Sequence, residues 1–168
     1  MNHMGFHSGG IDFEAVYDAY YDRVFKYAYT LLLNRHDAED VTAETFLTFL
    51  QRYQCRDPDN PGIAAYLTRV AHNRAVNLMT SFAYRKRTEL PSELPDEKDF
   101  TGSLDASDLV LRLYAKLKIE ERELLNMRYV MELKDREIAS LLGLSEKAVN
   151  KRYQRLLAKC RELLEEIF

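Results

Sequence analysis

Apolar side chains return every third or fourth residue through most of this chain, and that spacing commits it to helices. From Ile11 onward the series Phe13, Val16, Tyr17, Tyr20, Val24, Ala28 and Leu31 falls on one helical face. An aromatic stripe of this kind could serve as a binding surface, but at core spacing it reads as core. A second series, Val41, Thr45, Phe46, Phe49, Leu50 and Tyr53, begins near Asp37, whose carboxylate suits the free amides of a helix start. The stretch from Cys55 to Gly62 holds two prolines and a glycine and reads as a loop. Asn60 then caps a third helix, with Pro61 in its first turn, which continues through Ile63, Leu67, Val70, Ala71 and Leu78 toward Arg87. The expected fold is all-α.

Pro91, Pro95, Gly102, several serines and six acids interrupt the pattern over residues 89–106. This segment is expected to be a flexible acidic linker, whose 18 residues could reach roughly 60 Å when extended. Residues 1–10 carry two histidines, three glycines and no apolar period, and are set aside as a tail. The organisation expected is therefore a tail over 1–10, a helical domain over 11–88, the linker over 89–106 and a second helical domain over 107–168. In the last of these, helices are expected near Ser107–Leu117 and Glu120–Tyr129. No run of eighteen apolar residues exists, Leu31-Leu32-Leu33 being among the longest, and the N-terminus lacks a signal pattern. A cytoplasmic chain without membrane insertion is expected. Two cysteines, Cys55 and Cys160, supply neither a disulfide framework nor a paired-thiol metal site.

The net charge of −3 conceals a segregation. Residues 1–59 hold 5 basic and 10 acidic side chains, whereas residues 60–88 hold 5 basic and none acidic. Residues 89–108 hold 1 basic against 7 acidic, and residues 109–168 hold 13 against 10. An even mixture would describe a solvated surface; alternating blocks imply partners of different sign.

Residues 135–153 read DREIASLLGLSEKAVNKRY. Ile138, Ala139, Leu142, Gly143, Leu144 and Val149 stand where a helix-turn-helix needs them. Ala139 lets the second helix cross closely, Gly143 allows a left-handed turn, and Leu144 and Val149 fill the angle between the helices. Ser145 caps the second helix. A plain helical hairpin with a glycine corner would show the same apolar pattern. From Lys147 to Arg161, however, there are six bases and no acid, while Tyr153, Leu156, Leu157, Cys160 and Leu164 continue the inner stripe. An apolar inner face under a basic outer face suits a recognition helix laid in a DNA groove.

DAEDVTAETF (37–46), IAAYLTRVAHNRAV (63–76) and LKDREIASLLGLSEKAVNKRYQRLLAKC (133–160) occur in the order and spacing of the bacterial extracytoplasmic-function sigma factors, which the chain resembles over about residues 11–168. The resemblance implies two helical domains. The first would bind the polymerase clamp and the −10 promoter element, the second the −35 element and the polymerase flap. It also implies core RNA polymerase and promoter DNA as partners, and an anti-sigma factor as inhibitor. Departures from the family pattern are Ala43 before Glu44 where Gln is usual, Tyr66 for Trp, Asn77 for Asp, and Lys118 after Leu117 where Pro is common. His72 replaces a frequent arginine and is expected to be a surface or DNA-facing side chain.

Site expectations follow. Asp40 and Glu44, four residues apart on one helical face, would meet basic clamp residues as the resemblance implies, together with Phe46 and Leu47. Phe46, Leu47, Phe49 and Leu50 cannot all face one core, so at least one is expected to be exposed. Arg69, Asn73 and Asn77 form a polar ridge on the third helix, with Arg74 beside it. Arg85, Lys86 and Arg87 extend the charge, and Phe82 and Tyr84 interleave it, as single-strand binding requires. Capture of flipped bases around Asn60 is implied by the family. In the helix-turn-helix, Ser145, Glu146, Lys147, Asn150 and Lys151 lie on the early outward side, where base edges are read, while Arg136 and Arg155 suit phosphates.

An enzyme is not expected. The cluster His36, Asp37, Glu39, Asp40 and Glu44 lacks the Glu-x-x-His spacing of a helical metal site, and no phosphate-cradling glycine loop or nucleophile motif occurs. No cofactor and no metal are expected. The rival reading is a helix-turn-helix regulator with a helical sensor or dimerisation domain at residues 11–88. It accounts for residues 133–160 equally well but gives no reason for the purely basic balance of residues 60–88.

Overall fold

A computed structural model of the chain describes residues 13–53, 60, 62–81 and 104–167, with residues 104–107 described by backbone alone. The elements are α1 (Phe13–Leu32), α2 (Arg35–Arg52), α3 (Gly62–Thr80), α4 (Leu104–Ala115), α5 (Ile119–Leu125), a π-helical turn π1 (Asn126–Val130), α6 (Asp135–Leu142) and α7 (Glu146–Ile167). No strand occurs among the described residues. The first three helices form one bundle and the remainder a second, the two being packed together along α1.

The core of the first bundle joins Val16, Val24 and Ala28 of α1 to Val41, Phe46 and Phe49 of α2 and to Ile63, Leu67 and Ala71 of α3. Along α1, Phe13, Tyr17, Tyr21, Phe25 and Tyr29 step one turn at a time, with successive ring centroids 5.1 to 6.4 Å apart. Phe46 of α2 sits against this ladder, 5.0 Å from the Tyr17 ring. The expected inner stripe is displaced at two places. Tyr17 is exposed, while Tyr27 and Tyr29, outside the stripe, are buried. For Tyr27 the cause is the second bundle, whose Glu123 accepts the Tyr27 hydroxyl and whose Asn126 donates to the Tyr27 carbonyl, while Tyr29 continues the ring ladder, 5.8 Å from Phe25.

The cap of α2 is Asn34 and not Asp37. Asn34 has the extended backbone a cap requires (φ −142°, ψ 119°), and its side chain accepts the Asp37 amide at 2.9 Å. Just before it, Leu33 closes α1 in a left-handed conformation (φ 52°), its amide returning to the Tyr29 carbonyl at 2.7 Å. Asp37 lies one turn inside, buried. At α3, Asn60 Oδ1 accepts the Gly62 amide at 2.8 Å and the Asn60 carbonyl accepts the Ile63 amide at 3.1 Å. The described part of α3 ends at Thr80. Its expected extension to Arg87, the tail and most of the linker lie outside the described residues.

α4 starts at Leu104, inside the segment expected to be linker, and the next helix passes from α-helical α5 into π1. The wider turn is marked by the Met131 amide bonding the Asn126 carbonyl five residues back, at 2.9 Å. Glu121 reaches back to accept the Lys118 amide at 2.8 Å, which supplies the helix start that Lys118 in place of proline leaves to side chains.

Candidate functional site

The helix-turn-helix is built by local rules. Gly143 adopts φ 66°, ψ 34°, a left-handed turn that costs a side-chain-bearing residue strain, and the Leu144 amide bonds the Ala139 carbonyl at 2.9 Å. Ser145 Oγ accepts the Ala148 amide at 3.1 Å and starts α7. Ile138, Ala139, Val149, Tyr153, Leu156 and Cys160 are buried between the helices. This inner face fixes the outer one. Ser145, Glu146, Lys147, Asn150, Lys151 and Arg155 are exposed on α7 and its cap, as is Arg136 on α6.

Further along α7 the basic face is not uniform. Lys159 donates to both Glu121 oxygens, at 2.9 and 2.8 Å, and so is spent on holding α7 to α5. Partial burial pushes the Glu121 carboxyl up, but its bonds to Lys159 and the Lys118 amide outweigh this and leave it below its ordinary value. Arg152 and Arg155 flank a groove floored by Leu124, Leu142 and Leu156. Arg136 and Glu146 share a shallow recess with Arg128 and Lys134. Arg128 lies 4.3 Å over the Tyr153 ring and pairs with Asp135, while the Tyr153 and Tyr129 hydroxyls bond each other. Burial, and then that bond, push the Tyr153 hydroxyl up to about 12. This knot braces the turn, and Tyr153 joins it to the inner stripe.

On α3, Arg69, Asn73 and Asn77 are exposed in one ridge. Arg74 turns toward α2 instead, with Nε 3.5 Å from Glu44 Oε2 and Nη2 3.5 Å from Thr48 Oγ1. The expected polymerase face and the expected −10 face are thus adjoining surfaces linked by an ion pair. Arg85, Lys86 and Arg87, with Phe82 and Tyr84, lie outside the described residues.

On α2, Asp40, Glu44 and Leu47 are exposed and Phe46 is not. Phe46 is 2% exposed, because the aromatic ladder of α1 closes over it, and it has no face to offer a partner. Leu50, at 52%, takes its place beside Leu47 at 54%. Sequence periodicity could signal that one of the four was surplus but not which one. His72, expected to face solvent or DNA, is half-buried instead, and its Nδ1 pairs with Glu123 of α5. No local signal marks either residue, since they lie 51 positions apart.

Among the described residues no group of His, Cys, Asp or Glu is placed to hold a metal ion, and no helix is long and apolar enough to cross a membrane.

Comparison with known proteins defines the class. Sigma-70 region 2 matches residues 16–88 and Sigma-70 region 4 matches residues 107–160. The chain belongs to the sigma-70 family. Within that family it groups with the extracytoplasmic-function sigma factors. It is 28% identical over 166 residues to the ECF RNA polymerase sigma factor BldN of Streptomyces coelicolor, covering 92% of this chain and 61% of that protein. It is 24% identical over 169 residues to the ECF RNA polymerase sigma factor SigW of Bacillus subtilis, covering 92% and 90%. The chain thus spans about three fifths of BldN and nine tenths of SigW. Its fold is similar to that of CnrH solved in complex with the cytosolic domain of CnrY, at a TM-score of 0.65 and 25% identity over 92% of this chain and 88% of that one. In this family, regions 2 and 4 are the parts that bind the −10 and −35 promoter elements.

Proposed function

We propose that this chain is an alternative sigma factor, which binds core RNA polymerase, recognises −10 and −35 promoter elements and initiates transcription in the cytoplasm. The observation that carries the reading is the presentation of two separate polar faces on one chain, the Arg69–Asn73–Asn77 ridge and the early outer side of α7, each inside a matched region. Residues 11–88 form the polymerase and −10 unit in this reading, and residues 107–168 the −35 unit. Asp40, Glu44, Leu47 and Leu50 dock on the clamp. Arg69, Asn73 and Asn77 follow the melted strand, with Asn60, Arg85, Lys86 and Arg87 beside them and Arg74 bridging to Glu44. Ser145, Glu146, Lys147, Asn150 and Lys151 meet base edges, and Arg136 and Arg155 meet phosphates. An anti-sigma factor is the further partner proposed, supported by the similarity to CnrH bound by another protein.

Run-off transcription with purified core polymerase and a genomic promoter library tests the reading. Specific transcripts that require both the chain and core polymerase are expected. Transcripts that core polymerase and another sigma factor already make, merely raised or lowered by the chain, would instead identify a regulator. Permanganate footprinting adds a finer test, in which open thymines appear with the native chain and far fewer with Asn73→Ala plus Arg74→Ala.

A further inference from the structure

The groove between α5, α6 and α7 has a volume of about 390 Å³. That lies within the range of small-molecule sites, which are built from an apolar lining and a few convergent polar groups. Leu124 and Leu156 of its floor are buried core residues, so the floor is formed before anything binds, and Leu142 completes it from α6. The walls are charged and opposed. On α7, Arg152, Arg155 and Lys159 follow one another at spacings of three and four and so share one side of the helix, beside Leu156. On α5, Glu120, Glu121 and Glu123 stand across from them.

Three of these charges are already answered within the fold. Lys159 is held by both oxygens of Glu121. Glu123 accepts the Tyr27 hydroxyl at 3.2 Å and pairs with His72 of α3. Among the described residues, Arg152 and Arg155 have no acidic partner, and Glu120 on the far wall has no basic one. All three are exposed. The groove therefore carries an excess of one positive charge over a leucine floor, and that excess sits on the α7 wall.

We propose that the groove binds a small aliphatic monocarboxylate, and that its binding withdraws Arg155 from promoter DNA. The carboxylate is gripped by Arg152 and Arg155, whose planar donors match its two oxygens, and the aliphatic body lies on Leu124, Leu142 and Leu156. Glu120 sets the charge that the site accepts. One negative charge brings the groove to balance, whereas a phosphate dianion overshoots it and meets Glu120 as a like charge. Arg155 links the site to function. In the sigma-factor reading above, on which this second half of the inference rests, it grips a backbone phosphate at the −35 element. One guanidinium cannot serve both anions, so ligand and promoter each lower the affinity for the other by the same factor.

The full chain is titrated calorimetrically with decanoate below micelle formation, with decanol as the uncharged comparison and acetate as the comparison without a chain. Decanoate is expected to saturate a single site, and neither comparison to do so. Arg152→Glu, at an exposed position with no assigned promoter contact, is expected to weaken decanoate about tenfold or more. Glu120→Gln is expected to strengthen it about threefold. The second readout is fluorescence polarisation of a promoter duplex recovered by the run-off selection. Saturating decanoate is expected to lower the parent's duplex affinity about three- to tenfold and to leave that of Arg155→Ala unchanged. Absence of saturation, equal binding of decanol, or undiminished binding of decanoate by Arg152→Glu overturns the site. Saturation with unchanged duplex affinity overturns the competition. A parent that takes up decanoate but binds none of the recovered duplexes overturns the promoter reading, not the site.

Discussion

Side chains that look alike in the sequence do different work according to where α7 carries them. Asn150 and Arg155 are both exposed and both polar, but Asn150 lies on the early outer side and Arg155 one turn further on, beside the leucine-floored groove. A side-chain amide can pair two ways with adenine, whereas a guanidinium at the flank grips backbone. Asn150→Ala is therefore expected to cost about 1–3 kcal/mol at one base position and to relax preference there. Arg155→Ala should weaken all sequences alike and lower the salt slope by about one unit. Binding titrations across single-base variants and several salt concentrations separate the two, and a uniform loss with Asn150→Ala would mean that α7 holds backbone only. Gly143 offers a backbone counterpart. A Cβ there would meet no atom within 4 Å, so Gly143→Ala is expected to cost only the strain of φ 66°, about 1–2 kcal/mol, read as a lower midpoint in urea. Gly143 and Ser145 were legible because their roles are fixed by neighbours three to five residues away. Asp37 was misassigned as a cap because Asn34, which holds the post, belongs to the short joint after α1, and joints are set by how two helices meet.

Helix α2 shows what an amphipathic pattern can and cannot reveal about one element. Its sequence announces a surplus of apolar residues, but only the ring ladder of α1 decides that Phe46 and Phe49 go inward and Leu47 and Leu50 outward. The division makes opposed predictions for two kinds of truncation. Phe46→Ala should remove about 3–5 kcal/mol of stability through the cavity it leaves. Leu47→Ala with Leu50→Ala should leave the thermal midpoint nearly unchanged and weaken binding to core polymerase, measured by fluorescence polarisation. Charge reversal of Asp40 and Glu44 should weaken the same binding without loss of helicity. Co-purification with core polymerase at the parent's level in both sets would remove α2 from the interface. Glu44 also holds Arg74 of α3, at 3.5 Å, so its reversal carries a second expected effect on strand opening. That coupling joins residues 30 positions apart and no helical period could have signalled it.

At the scale of the whole molecule the informative residues are ones that no motif ties together. Tyr27, His72, Glu123 and Asn126 belong to three different runs of chain, and each alone reads as ordinary helix surface. Only docking of the two bundles turns them into one buried polar cluster, which is why the helices and the recognition turn could be read in advance and the cluster could not. It also makes closure of one bundle on the other depend on pH. The bond His72 makes to Glu123 raises the histidine above its ordinary value of 6.5, burial pulls it down, and the carboxylate charge adds to the rise, leaving it raised. The other titratable group here, Tyr27, is raised far above its ordinary value by burial and then by Glu123, and stays neutral throughout. Because the docked histidine binds its proton more tightly than the undocked one, its contribution to closure is fully present below about pH 6.5 and is lost as the pH rises through the docked value. Scattering profiles from pH 6 to 9 are therefore expected to show a compact particle at the acidic end and a growing open fraction toward the alkaline end. His72→Gln should hold the same mixture across the range. If the variant opens along the same curve as the parent, the proton that controls closure is not the one on His72.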